Sequence, residues 1–121
     1  MGPESKFYQY FKKNTPDISY TRIENTSNLG TPDALAYNKK GTFFTIEFKV
    51  TKRNILKFSP HQIAFHVKHP EHTFILAKTL VAGDIKLYEG RRIRELVACG
   101  LSLDACAVGL DACRLFFEDL K

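Results

Sequence analysis

The stretch that decides the fold runs from Gly30 to Lys52, GTPDALAYNKKGTFFTIEFKVTK. Ala34 to Asn38 reads as a short strand, Lys39-Lys40-Gly41 as a turn, and Thr42 to Val50 as the strongest strand in the chain. The three are predicted to close as a β-hairpin. A period of two along the second strand sends Phe44, Ile46, Phe48 and Val50 to one face and Phe43, Thr45, Glu47 and Lys49 to the other. A carboxylate and an amine therefore project side by side. Asp33, directly after Pro32, opens the strand that pairs with them.

Upstream of the hairpin, residues 4–13 (ESKFYQYFKK) place Phe7, Tyr8 and Phe11 on one side of an amphipathic helix that Pro16 stops. DISYTRIE, from Asp17 to Glu24, is rich in strand formers, and NTSNLGTPD turns the chain before the hairpin. Downstream, Ser59 and Pro60 mark a helix start, with Ile63 and Val67 on one face and His69-Pro70 as the stop. Thr73–Ala77 and Asp84–Tyr88 read as two further strands around a Gly83 turn. The last 30 residues read as helical, broken near Gly100 and restarted by Ser102 as N-cap. The alternation predicts an α/β (α+β) domain, a central mixed β-sheet flanked by helices.

With 121 residues, 44% hydrophobic and 26% charged, the chain is sized for one domain spanning 1–121 that needs no disulfide or structural metal. Its apolar runs fall short of the ~20 residues that span a bilayer, and its N-terminus lacks a secretory h-region, so a cytoplasmic protein without membrane association is expected. The net charge of +5 is unevenly spread: residues 1–70 hold 11 bases and 5 acids, residues 71–121 hold 7 bases and 8 acids. A basic half beside a neutral one is what a polyanion-binding face looks like. Cys99, Cys106 and Cys113 recur every seven residues, which on a continuous helix places them on one face. Without a CxxC pair or a His cluster they read as packing residues. His61, His66, His69 and His72 do not share one ligating face and read as surface histidines.

Two carboxylates, Asp33 and Glu47, brought together in a basic half repel unless a cation sits between them. Oxygen donors with no His or Cys beside them favour Mg²⁺ or Mn²⁺, and the Phe48 backbone carbonyl, flanked by both side chains, is a further donor. A metal that polarises a phosphate oxygen, with Lys49 to steady developing charge, is what phosphodiester hydrolysis needs. An acid and a lysine on a strand also form ordinary cross-strand salt bridges, so spacing alone leaves both readings open.

The same residues resemble the PD-(D/E)XK nuclease motif, with Pro32-Asp33 and Glu47-Phe48-Lys49 separated by a hairpin. Gln62, in SPHQ on the next helix, resembles the extra glutamine of the virus-type replication-repair nucleases (VRR-NUC) and the archaeal-type Holliday junction resolvases. Glu4 in ESKF and the segment Arg22 to Asn25 are similar to small phage-borne members of that group. The resemblance covers about residues 4–68 and implies a restriction-endonuclease-like core in which Asp33 and Glu47 bind the metal. It further implies that Lys49 positions or activates water, Gln62 orients the site or contacts the scissile strand, and Glu4 completes the site directly or through water. Glu24 is a secondary candidate, as metal ligand or as hydrogen-bond partner within the sheet.

The expectation is therefore a Mg²⁺-dependent endodeoxyribonuclease of phage type, selective for branched DNA as in a Holliday junction resolvase and working in a host cytoplasm. A flap, nick or general DNA nuclease, or a non-catalytic DNA-binding module, is the alternative. Lys12, Lys13, Arg22, Lys39, Lys40, Lys52, Arg53 and Lys57 are the expected phosphate contacts, which fix position without reading sequence. Symmetric cutting of a junction calls for a homodimer, and the C-terminal segment 91–121, with its cysteine stripe and Leu115, Phe116 and Phe117, is the expected surface.

Overall fold

The computed structural model describes residues 2–23, 30–81 and 83–121. Its core is a six-stranded mixed sheet with helices on both faces, the fold class expected. The strands are β1 (Ser19–Arg22), β2 (Ala34–Tyr37), β3 (Phe43–Thr51), β4 (Thr73–Thr79), β5 (Lys86–Glu89) and β6 (Ala107–Val108), and they lie side by side in chain order. All neighbours are antiparallel except β3 and β4. That parallel pair needs a crossover, which α2 (Pro60–Lys68) provides. The helix α1 (Pro3–Lys13) precedes the sheet; α3 (Ile93–Cys99) and α4 (Leu110–Asp119) follow β5.

The alternation of β3 places one side chain in two on each face, as the sequence predicts. Phe44, Ile46 and Phe48 join Phe7, Tyr8 and Phe11 of α1 and Cys113 and Phe117 of α4 in the larger core. Its aromatic rings meet edge to face, Phe7 on Phe48 at 5.2 Å and Phe11 on Phe117 at 6.0 Å between centroids. The smaller core on the opposite face joins Ile75, Ala77 and Tyr88 to Ile93 and Leu96 of α3. Glu47 and Lys49 project on this second side.

The C-terminal third departs from the continuous helical reading. A short 3₁₀ turn at Gly100–Ser102, the two-residue strand β6 and a Gly109 N-cap interrupt it, so Ser102 does not start a helix. Cys106 precedes β6, Cys99 ends α3 and Cys113 lies on α4, so the three thiols share no face. Burial holds the Cys113 thiol up at about 12, the state of an inert packing residue. Phe117 is fully buried in this chain's own core and Phe116 packs against it, leaving only Leu115 of the three apolar residues exposed. The surface expected for a dimer is in large part the underside of α4. A helical period was read correctly there, but its apolar stripe is spent on this chain's own sheet.

Candidate active site

β2 stops at Ala34, paired with Ile46, while β3 runs on to Thr51. Past that point one edge of β3 has no strand beside it, and side chains take the ladder's place. The Asp33 carboxylate accepts the Phe48 N–H at 2.8 Å, and Glu4, reaching from the first turn of α1, accepts the Val50 N–H at 3.2 Å. The N–H and C=O of one strand residue point to the same edge. The Phe48 carbonyl therefore opens between the Asp33 and Glu4 carboxylates. Glu4 does more than complement a helix dipole; it is a partner of β3.

On the α2 side, Gln62 links the remaining groups. Its amide nitrogen donates to Glu47 Oε2 at 3.1 Å, and its Oε1 accepts from Lys49 Nζ at 3.1 Å and from the Ser59 N–H at 2.9 Å. Ser59 in turn accepts the Gln62 N–H at 3.1 Å, a capping box that fixes the rotamer of Gln62 as it starts the helix. A glutamine suits the place because it offers a donor to the acid and an acceptor to the amine. Lys49 Nζ also lies 4.8 Å over the Phe58 ring. The turn before Asp33 packs on the same helix start: Gly30, at φ +82°, sits where a Cβ would come within 2.3 Å of the His61 backbone.

Glu47 is 3% exposed and within hydrogen-bonding reach of Asp33. Burial, then the charge of Asp33, push its carboxyl up to about 8, against the pull of Lys49. Asp33 is also raised by burial, with the Phe48 N–H and then Lys49 and Arg22 opposing. Glu47 is thus held protonated at neutral pH. Glu47 Oε1 is buried with no hydrogen-bond partner among the described residues. An orphaned carboxylate oxygen, a facing second acid and an open backbone carbonyl form an oxygen-only donor set that fits a hard divalent cation. Among the described residues no three His, Cys, Asp or Glu side chains group closely enough to hold a metal ion by themselves. Glu4 meets β3 two residues further along than Asp33 does.

Not every expected residue gathers here. Lys52, Arg53 and Lys57 line a cleft of about 820 Å³ together with Glu4 and Lys49, and Arg22 shares a smaller cavity with Glu4 and Asp33. Lys39 and Lys40 do not surround the site: they cap the hairpin at the far end of β3, where Lys39 pairs with Asp17 at 3.1 Å. Lys12 and Lys13 sit at the end of α1 remote from Glu4. Glu24 and Asn25 lie outside the described residues. His66 is not a surface histidine. It is buried at 1% exposure beside Gly90 and Thr73, whereas Val67, expected on one face with Ile63, is exposed. Ser59 was read as the start of α2, but its tie to Gln62, which the S-x-x-Q spacing of a capping box signals, was not; Phe58 was missed, and nothing local marks it.

The architecture is a mixed sheet in which a hairpin is followed by a parallel crossover, with Asp33 just before β2 begins and Glu47 on the strand paired with it. Among solved structures it is similar to Hjc of Archaeoglobus fulgidus, a Holliday junction resolvase from an archaeal hyperthermophile. The TM-score is 0.56 at 17% identity, covering 74% of this chain and 75% of that one. At that identity the likeness shows the fold. No protein-family model and no curated protein sequence matches the chain.

Proposed function

We propose that this chain is a single-domain, divalent-metal-dependent DNA endonuclease that acts on branched DNA as a Holliday junction resolvase, in the manner of the PD-(D/E)XK nucleases. The observation that carries the reading is the pairing of Asp33 with Glu47 at the free edge of β3, tied through Gln62 to Lys49. The fold shared with an archaeal resolvase supports it.

Asp33, Glu47 and the Phe48 carbonyl would hold Mg²⁺ or Mn²⁺, with Glu4 joining directly or through water. Such a cation supplies Lewis acidity toward a phosphate oxygen. The chain's own residues do the rest. Glu47, whose carboxyl is raised first by burial and then by Asp33, would have to give up its proton to hold such a cation. The Lys49 Nζ, held by the Gln62 carbonyl oxygen, faces the charge that grows on the phosphoryl group. Gln62 fixes the spacing of acid and amine through two hydrogen bonds from one rigid helix turn. Lys52, Arg53 and Lys57 grip the phosphate backbone in the cleft, so affinity falls steeply with salt. Phosphate contacts of this kind carry no sequence information, so selection is by DNA shape. Two strands cut symmetrically require two such sites, hence a two-fold dimer.

The test is a panel of labelled four-way junction, flap and continuous duplex, incubated with and without Mg²⁺ or Mn²⁺, for wild type, Asp33→Asn and Lys49→Ala. Junction cleavage that needs the metal and vanishes in both variants is expected. Tight junction binding with no cutting under any metal would leave a binding module; equal cutting of junction and duplex would leave a general nuclease.

A further inference from the structure

Among the residues lining the basic cleft beside Lys49, one exposed apolar side chain is not accounted for by phosphate binding. Ile55 is 55% exposed and lines the cleft together with Glu4, Lys49, Arg53 and Lys57. A branched aliphatic side chain among cations gains nothing from a phosphate. The loop that carries it is held on both sides. Asn54 Nδ2 donates to the Cys99 carbonyl at 3.0 Å, and the Asn54 carbonyl accepts the Leu101 N–H at 2.9 Å. Gly100, at φ +61°, permits that approach, since a Cβ there would lie 2.2 Å from the Asn54 oxygen. Leu56, on the other side, is buried in the smaller core at 3% exposure. The Thr51 hydroxyl donates to the Ile55 carbonyl at 2.9 Å. The backbone is thus fixed at residues 54, 55 and 56 while the Ile55 side chain stays in the open.

An exposed apolar residue on a mobile tip needs no explanation. One held rigidly in a cationic cleft next to the acids is built to meet an apolar surface on a polyanion, and in DNA that surface is the face of an unstacked base. We propose that Ile55 is a wedge that enters an opened base step next to the scissile phosphate. This inference rests on the DNA reading of the cleft and names its substrate class: duplexes whose stacking is already broken at a branch point. Apolar side chains inserted between base pairs pay the cost of unstacking, which is least where the step is open beforehand. The wedge therefore supplies preference for a junction with no base-edge contact.

The experiment is fluorescence binding in EDTA, so that cleavage plays no part, using a four-way junction with a fluorescent adenine analogue at the branch point and a continuous duplex of the same sequence. Wild type is expected to raise the fluorescence and to prefer the junction. Ile55→Ala should abolish the rise and weaken junction binding by about tenfold while duplex binding changes by less than about twofold. Ile55→Phe should restore both effects, and Val108→Ala, an exposed apolar residue on the outermost strand β6, should change neither. An unchanged rise and unchanged preference in Ile55→Ala would overturn the wedge, even if that variant still cut junctions in Mg²⁺ and so left the nuclease reading intact. A fluorescence rise lost in Ile55→Ala, in a protein that never cuts, would support the wedge and overturn the nuclease.

Discussion

The two faces of the sheet are packed by different rules. Toward α1 and α4, β3 contributes Phe44, Ile46 and Phe48 to a cluster of aromatic rings whose contacts are almost wholly apolar. Toward α2, the same strand contributes Thr45, Glu47 and Lys49. All four buried polar side-chain atoms without a partner among the described residues, on Thr45, Glu47, His66 and Thr79, belong to that side. One face is satisfied and the other is not. An unmatched buried oxygen or nitrogen costs stability of about 1–3 kcal/mol, so the aromatic face must supply the free energy that the polar face gives up. Strain concentrated beside a pair of acids is what a reactive site looks like.

The sharpest way to break the contrast is to hollow the aromatic face. Phe117→Ala removes a ring stacked 4.7 Å from Phe44 and should lower unfolding free energy by about 3–5 kcal/mol in a urea titration. On the opposite face, Lys49→Ala should leave the urea midpoint nearly in place but reduce metal-dependent cleavage of a labelled junction by about 10³-fold. A face that lost stability and activity together in both variants would erase the distinction.

A third prediction concerns pH. Glu47 has its folded value near 8, above the usual 4.5, so the folded state holds a proton that the unfolded state has released. Stability of the metal-free protein therefore falls as pH rises through that window. His66 works in the opposite sense: burial, then the charges of His69 and Lys49, press it down to about 4, so its contribution is lost as pH drops from 6.5 toward 4. The two effects oppose one another between 4.5 and 6.5, and Glu47 alone acts from 6.5 to 8. Thermal melts in EDTA should decline from pH 6.5 to 8, by an amount on the order of a few kcal/mol. Glu47→Gln should flatten that decline. The smallest effect belongs to Thr45→Val, which removes one orphaned hydroxyl and should be neutral or stabilising by under about 1 kcal/mol, read from the same melts.

Much of the site was legible because it is local. The hairpin, the alternation of β3, the Ser59 helix start and the placement of Asp33, Glu47, Lys49 and Gln62 each follow from spacing within about fifteen residues, where backbone geometry alone dictates which side chains meet. The errors fell where geometry is not local. Cys99, Cys106 and Cys113 kept a helical period, yet Gly100 and Gly109 interrupt the helix between them. Lys39 and Lys40 share the charge of the basic half, but an extended β3 carries them to the other end of the sheet from Lys49. His66 is written like its three neighbouring histidines, and only the packing of α2 against α3 and the turn at Gly90 buries it.

By itself the sequence determined the order of strands and helices, the two faces of β3 and the chemistry available on each, since periodicity and turn residues act within a few peptide units. The tertiary structure decided the rest. It began β2 only at Ala34, after Asp33, so that the Phe48 carbonyl stays open, brought Glu4 from 46 residues away to Val50, and spent Phe117 on the core. It also pinned Asn54 against Gly100 to hold Ile55 in the open. Contacts of that kind depend on how whole elements pack against one another, and no window of sequence contains both partners.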